Sequence, residues 1–159
     1  LMMAAASVSH NRINENISIK AGYYLKRKRC QSFSQDLRIF IPDNTLFTYP
    51  DLIVVCGEPK LYDEKKDIVL NPTIIVEVLS KSTASYNRGE KFALYRKIAT
   101  LKEYVLIDSE KIWAEIWCVN IEGFWMLAQE TENMSESLSL VSIDFHLPLT
   151  DVYNGTTLK

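Results

Sequence analysis

Two acidic side chains lie where acids are expensive. Asp51, in "YPDLIVV" (49–55), opens a run of β-branched residues, and Glu77 interrupts "PTIIVEVLS" (72–80), which is otherwise almost wholly apolar. An ionised, unpaired carboxylate buried in a strand is strongly unfavourable. A cation between the two would remove that cost. Carboxylate oxygens, a backbone carbonyl and water form the donor set that Mg²⁺ or Mn²⁺ prefers. An ion held this way can polarise a phosphoryl oxygen and turn water into a nucleophile, which is the chemistry of phosphodiester hydrolysis. Simpler arrangements compete: a strand glutamate often pairs with a lysine or arginine, or reaches water at a sheet end. An aspartate after a proline is also a common turn residue.

If neighbouring strands carry them, the two acids converge. On strand 73–80 the period of two places Glu77 on one face with Ile75 and Leu79; on 51–56 it places Asp51 with Ile53 and Val55. Upstream, Ser9 begins a helical pattern in which Ile13, Ile17, Ala21, Tyr24 and Leu25 recur at helical spacing, with "KRKR" (26–29) as its cationic end. "SFSQDLRIFIP" (32–42) alternates as a strand, and "DNT" (43–45) turns it back into 49–57 as an antiparallel hairpin. The charged segment 58–71 reads as a solvated loop. Strand 72–80 is apolar on both faces except at Glu77, so it is central. "STASYNRGEKFALYRKIATL" predicts a second helix, with Phe92, Tyr95 and Ala99 along one stripe and Gly89 as a weak point. "EYVLID" (103–108) is a fourth strand. "IWAEIWCV", "GFWMLAQ" and "LSLVSIDF" alternate as an antiparallel meander that extends the sheet. This order predicts an α/β sandwich forming a single domain over 1–159.

Composition narrows the classes. With 159 residues, 47% hydrophobic and 24% charged, the chain suits one globular domain. A net charge of -2 excludes a broad basic coat for nucleic acid and leaves room for a local basic patch. Cys30, Cys56 and Cys118 are odd in number and far apart, with no CxxC spacing. That speaks against a zinc site or a disulfide framework and fits a reducing cytoplasm. No apolar stretch is long enough to cross a membrane.

The stretches "TYPDLIVVCGEP" and "LNPTIIVEVLSKSTASYNRGEKFALYRKIATLKEYVLID", with "SHNRINENI" and "QDLRIFIP" upstream, cover most of residues 9–118. In them the chain resembles the bacterial Uma-two family of restriction-type endonucleases, within the PD-(D/E)XK nuclease superfamily. The resemblance implies a restriction-endonuclease-like αβββαβ core with a mixed central sheet, followed here by the C-terminal antiparallel β extension. It also implies a metal site in which Asp51 and Glu77 are ligands and the Val78 carbonyl faces the ion. The superfamily places a lysine two residues after the glutamate, where this chain has Leu79. Relatives supply the lysine from the following helix, which makes Lys91 the catalytic candidate, sharing a helix face with Asn87 and Tyr95. Its role would be to stabilise charge on the phosphate and orient the attacking water; a solvated helix lysine paired with Glu90 is the plain alternative. Asn87 stands where relatives have an aspartate, and a leading segment resembling "YELIDGE" is expected upstream of "LMMAAAS" and is absent.

Weaker signals remain. His10 either faces the metal site or caps and packs the helix. Asp36 either approaches Asp51 or pairs with Arg38 or Arg12. Ser80 either bonds near Glu77 or ends the strand, and the 26–29 cations either contact phosphates or serve the helix dipole. Trp113, Trp117, Phe124 and Trp125 read as core or as a homodimer interface. Two functions follow: a Mg²⁺- or Mn²⁺-dependent endonuclease that hydrolyses DNA, or a non-catalytic descendant that keeps the fold as a binding module.

Overall fold

The computed structural model describes residues 6–34, 36–42 and 46–159; the turn expected at 43–45 lies outside them. Helix α1 (Val8–Leu25) begins after Ser7, whose hydroxyl accepts the His10 amide at 3.0 Å. Ser7 rather than Ser9 is therefore the N-cap. The helix buries Ile13, Ile17, Ala21 and Leu25 against a sheet. Lys26 ends it, so "KRKR" lies beyond the last turn instead of within it, and Arg27 adopts a left-handed φ of 64°.

The strand expected over 32–42 is two strands, β1 (Cys30–Ser34) and β2 (Arg38–Ile41). Asp36, at φ 58°, reverses the chain between them. The second half leaves the main sheet. β2 pairs with β3 (Leu46–Thr48) and with β5 (Ile68–Val69) in a small sheet of its own. That pairing buries Ile68 and Val69, so 58–71 is more than a solvated loop.

The main sheet has the order β1-β4-β6-β7-β8-β9, with β4 (Leu52–Cys56), β6 (Ile74–Leu79), β7 (Glu103–Asp108), β8 (Ala114–Val119) and β9 (Trp125–Thr131). All of β6 is buried, as a central apolar strand should be. Its pairing with β7 is parallel and every other pairing in the sheet is antiparallel. A parallel pair needs a crossover. Helices α2 (Ala84–Arg88) and α3 (Glu90–Tyr95) supply it; they are the expected second helix broken at Gly89, where a Cβ would stand 3.2 Å from the Ser85 carbonyl. The αβββαβ core is thus α1, β1, β4, β6, α2 with α3, and β7. The meander extends this sheet only through β8 and β9. Strands β10 (Ser137–Leu140) and β11 (Phe145–Pro148) form a separate hairpin that runs into α4 (Leu149–Val152).

The sheet divides two cores. Val54, Val76, Val78 and Val105 meet α1 and the β10–β11 hairpin on one side. On the other, Ile53, Val55, Ile75, Leu79 and Tyr104 meet Phe92 and Tyr95 of α3. Each such buried side chain stabilises by about 1.5–3 kcal/mol. Trp113, Trp117 and Trp125 join the second core, with Phe92 5.4 Å from Trp117 and 5.5 Å from Trp125, whereas Phe124 is exposed.

A disulfide joins Cys30 to Cys56, correcting the expectation that the cysteines stay unpaired. Their separation of 26 positions hides a register that sets them directly opposite on β1 and β4, Cα atoms 4.0 Å apart. Cys118 is free. Cysteine usage therefore offers no argument for a reducing compartment. Among the described residues, no helix is long and apolar enough to cross a membrane.

Candidate active site

Asp51 immediately precedes β4, and the antiparallel register that matches Leu52 to Val76 sets it beside Glu77 and Val78. Its carboxylate is held from two directions. Oδ2 accepts the Val78 amide at 2.7 Å, and Oδ1 accepts the Asn14 side-chain amide at 3.1 Å. His10, one turn before Asn14 on α1, places Nε2 2.9 Å from the Val78 carbonyl and 3.7 Å from Asp51 Oδ2. Because a carbonyl can only accept, Nε2 carries the proton. Nδ1 is then free to accept from Asn14, 3.4 Å away.

Glu77 points to the α3 side with Ile75 and Leu79, as its alternation predicts, whereas Asp51, expected on that side with Ile53 and Val55, turns its carboxylate to Asn14 and His10 of α1 because it precedes the paired strand. Its side chain is 4% exposed. Oε2 accepts Lys91 Nζ at 2.7 Å, while Oε1 is buried with no hydrogen-bond partner among the described residues. Burial pushes the Glu77 carboxyl up to about 7; the Lys91 ammonium opposes that rise, the Asp51 charge adds to it, and the Asp51 main-chain amide, near the carboxylate but outside hydrogen-bond geometry, opposes it more weakly. Lys91 lies 5.8 Å from the centre of the Tyr95 ring, and the Tyr95 hydroxyl shares a 2.9 Å hydrogen bond with Thr48. Burial drives the Tyr95 and Tyr104 phenols upward, helped by the charge on Glu77, so both stay neutral. Tyr104 donates to the Asn87 carbonyl at 2.9 Å, which anchors the break between α2 and α3.

The structure therefore gathers Asp51, Glu77, Val78 and Lys91 at one end of the sheet, with His10 beside them. Lys91 reaches Glu77 rather than Glu90. Leu79, two residues after the glutamate, is buried in the α3-side core. The remaining candidates lie elsewhere. Asp36 is in an exposed reversal, and Arg38 pairs with Asp67 at 2.6 Å. Ser80 bonds to Ser82 and Thr83 and closes the strand. Asn14 escaped the sequence reading; its only signal is the spacing of four from His10.

The donor chemistry fits a hard divalent cation. Two carboxylates and a main-chain carbonyl lie at the same end of the sheet, and the orphaned Glu77 Oε1 is the kind of buried acceptor that a cation satisfies. Among the described residues, no three His, Cys, Asp or Glu side chains form a ligand cluster. Any such ion would rest on Asp51, Glu77 and the Val78 carbonyl, with water filling the other positions.

A mixed sheet whose crossover helix brings a lysine back to a buried glutamate on the central strand fits a restriction-endonuclease-like fold. The chain belongs to the Uma2 family, described as "Putative restriction endonuclease", whose model matches residues 1–150. It is 34% identical over 145 residues to the uncharacterized protein sll1609 of Synechocystis sp., covering 87% of this chain and 76% of that one. A second Synechocystis protein, the uncharacterized slr1290, is 31% identical over 154 residues, covering 96% and 78%. Among solved structures, a protein of Anabaena variabilis described as "a putative nuclease belonging to DUF820" superposes with a TM-score of 0.77 at 16% identity, covering 96% of this chain and 84% of its own.

Proposed function

We propose that the protein is a divalent-metal-dependent endonuclease acting on DNA phosphodiesters, with Asp51, Glu77 and the Val78 carbonyl as ligands and Lys91 as the catalytic lysine. One observation carries this reading: the buried Glu77, beside Asp51, keeps an oxygen with no hydrogen-bond partner among the described residues while Lys91 engages the other. When bound, Mg²⁺ or Mn²⁺ supplies a Lewis acid for the phosphoryl oxygen and lowers the pKa of water. The chain's own groups do the rest. The Val78 amide and Asn14 hold the Asp51 carboxylate in place. Lys91, 13% exposed and braced against Tyr95, presents an ammonium with little water around it to the charge that develops on phosphate. Incubation with supercoiled DNA and Mn²⁺ tests the proposal: nicking is expected, and nicking that survives Glu77→Gln overturns it.

A second reading has a specific observation in its favour. The Lys91 ammonium pairs with Glu77 and His10 covers the Val78 carbonyl, so both groups have partners without a cation. A binding module built on the fold would look the same. Calorimetric titration with Mn²⁺ separates the readings: saturable binding lost in Glu77→Gln supports the nuclease, and no binding supports the module.

Homodimerisation is part of the proposal. Among the described residues β9 is an outer strand of the sheet, and Phe124, Met126, Leu127 and the neighbouring Ile121 are exposed there. Light scattering with Met126→Lys/Leu127→Lys tests it, monomers being expected for the variant and dimers for the parent.

A further inference from the structure

Helix α1 and the outer strand β1 pack side by side, and the seam between them is made of small polar residues. Asn14, Ser18 and Gly22 recur every four positions on α1 and share a face. Ser32 and Ser34 alternate onto one side of β1. The Ser18 and Ser34 hydroxyls are 3.4 Å apart, and a Cβ on Gly22 would lie 3.8 Å from Ser32 Oγ. One end of this seam is the candidate site. Asn14 donates to Asp51, and Ser34 is registered opposite Leu52, the residue after Asp51.

The other end opens into a cleft of about 330 Å³ lined by Gly22, Lys26, Arg27, Lys28 and Ser32, with no acidic residue in its wall. Lys26, Arg27, Lys28 and Arg29 are all exposed, and none forms an ion pair with a described residue. They are not needed to close the helix. The carbonyls of Tyr23 and Leu25 already accept main-chain amides from Lys26 at 3.3 Å and Lys28 at 2.9 Å. Four consecutive cations without an ion-pair partner among the described residues repel one another in a chain whose net charge is -2, although Lys28 also stands 4.7 Å over the Tyr24 ring. An anionic partner relieves that repulsion.

We infer that the α1–β1 seam carries a nucleic-acid backbone away from the reacting phosphate, toward the cations at 26–29. The inference rests on the nuclease reading for what happens at the Asp51 end. Positions 14 to 26 span about 18 Å of helix axis at ~1.5 Å per residue. That is roughly five nucleotides at ~3.4 Å each. Phosphates in the seam would meet hydroxyl and amide donors and then the cations, contacts that fix register without reading sequence.

The experiment is equilibrium binding of a labelled duplex of about 20 base pairs to the metal-free protein over a series of salt concentrations. The two seam variants are Lys26→Glu/Lys28→Glu, which reverses charge on exposed side chains, and Gly22→Phe, which fills the seam without changing charge. Both are expected to bind at least about tenfold more weakly than the parent. The charge variant is also expected to lower the log–log salt slope by about 2, at roughly 0.9 per lost phosphate contact. Melting and Mn²⁺ affinity are expected to stay at the parent's values. Lys97→Glu/Lys111→Glu, the same charge change outside the seam, is expected to weaken binding less than about twofold. Seam variants that bind like the parent, or a control that weakens binding as much, overturn the inference. If the parent cuts DNA while the seam variants are unaffected, only the seam fails. If it binds through the seam without cutting, the seam stands and the nuclease reading fails. Absence of any binding by the parent overturns the seam assignment whatever happens at Asp51.

Discussion

Glu77 and Glu103 lie on adjacent strands, β6 and β7, and are equally buried, at 3% and 2% exposure. Their surroundings are opposite. Glu103 accepts the Val141 amide at 3.1 Å, the Ser142 amide at 2.9 Å and the Ser142 hydroxyl. It pins the 3₁₀ turn Val141–Ile143, and with it the β10–β11 hairpin, to the sheet. Glu77 has one cation and an oxygen with no hydrogen-bond partner among the described residues. A carboxylate that serves the fold is surrounded with donors; one left short of them, in a polar corner at the sheet end, is available to a ligand. The contrast sets a carboxylate that serves the fold against the one that the proposed function uses.

The sharpest way to break this contrast is at the lysine. Lys91→Met is expected to lower DNA cleavage by about 10²–10³-fold, as loss of a group that stabilises developing charge does. Single-turnover assays at saturating Mn²⁺ check this; a change under tenfold returns Lys91 to a purely structural role.

Glu103→Ala should do the reverse, leaving two amides and a hydroxyl without an acceptor. The expected loss is about 3 kcal/mol of stability, read from urea unfolding, with little effect on Mn²⁺ affinity. Glu77→Leu/Lys91→Met, which removes the buried pair together, is expected to be neutral or stabilising, because neither charge is left without its partner. Equal losses at the two positions would erase the distinction.

The pH dependence of stability sharpens the comparison. The native Glu77 carboxyl holds its proton up to about 7, whereas an exposed glutamate releases it near 4.5. Between those values the folded state binds the extra proton, so stability falls as pH rises through that window, by on the order of 3 kcal/mol in total. Thermal melts of the metal-free protein at pH 5 and 7.5 check the direction, and Glu77→Gln should flatten the curve. Saturating Mn²⁺ should oppose the fall, because it favours the ionised form.

The smallest expected effect belongs to Asn14. Its amide orients Asp51, so Asn14→Ala is expected to weaken Mn²⁺ binding about tenfold while melting shifts little. Asn14→Asp puts a second carboxylate against Asp51 and should make the Mn²⁺-induced rise in melting temperature larger than the parent's.

Much of this site was readable in the chain. Period-two alternation put Glu77 on the face of Ile75 and Leu79, and those residues do line the α3-side core. Gly89 was marked as the weak point of a helix, and the helix breaks there. The resemblance pointed to Lys91 because a helix after the central strand can return a side chain to it. What the chain hid were non-local pairings. Nothing local distinguishes Cys30 and Cys56 from free thiols until the β1–β4 register opposes them. The smooth alternation across 32–42 gave no sign that Asp36 would turn β2 into a different sheet. The β10–β11 hairpin alternates as a sheet extension would, yet Leu138, Leu140, Phe145 and Leu147 bury against the α1-side core instead.

By itself, the order of residues determined that the 72–80 strand is buried, where the crossover falls and that Glu77 interrupts an apolar run, because burial and periodicity are properties of a few adjacent positions; it did not mark Glu103, which is as deeply buried. Only the tertiary structure decided which groups meet Asp51 and Glu77: His10 and Asn14 from one layer, Lys91 from the other, and an oxygen left over. A contact across 37 positions, as between Asn14 and Asp51, depends on how two layers pack, and no local window of sequence encodes that.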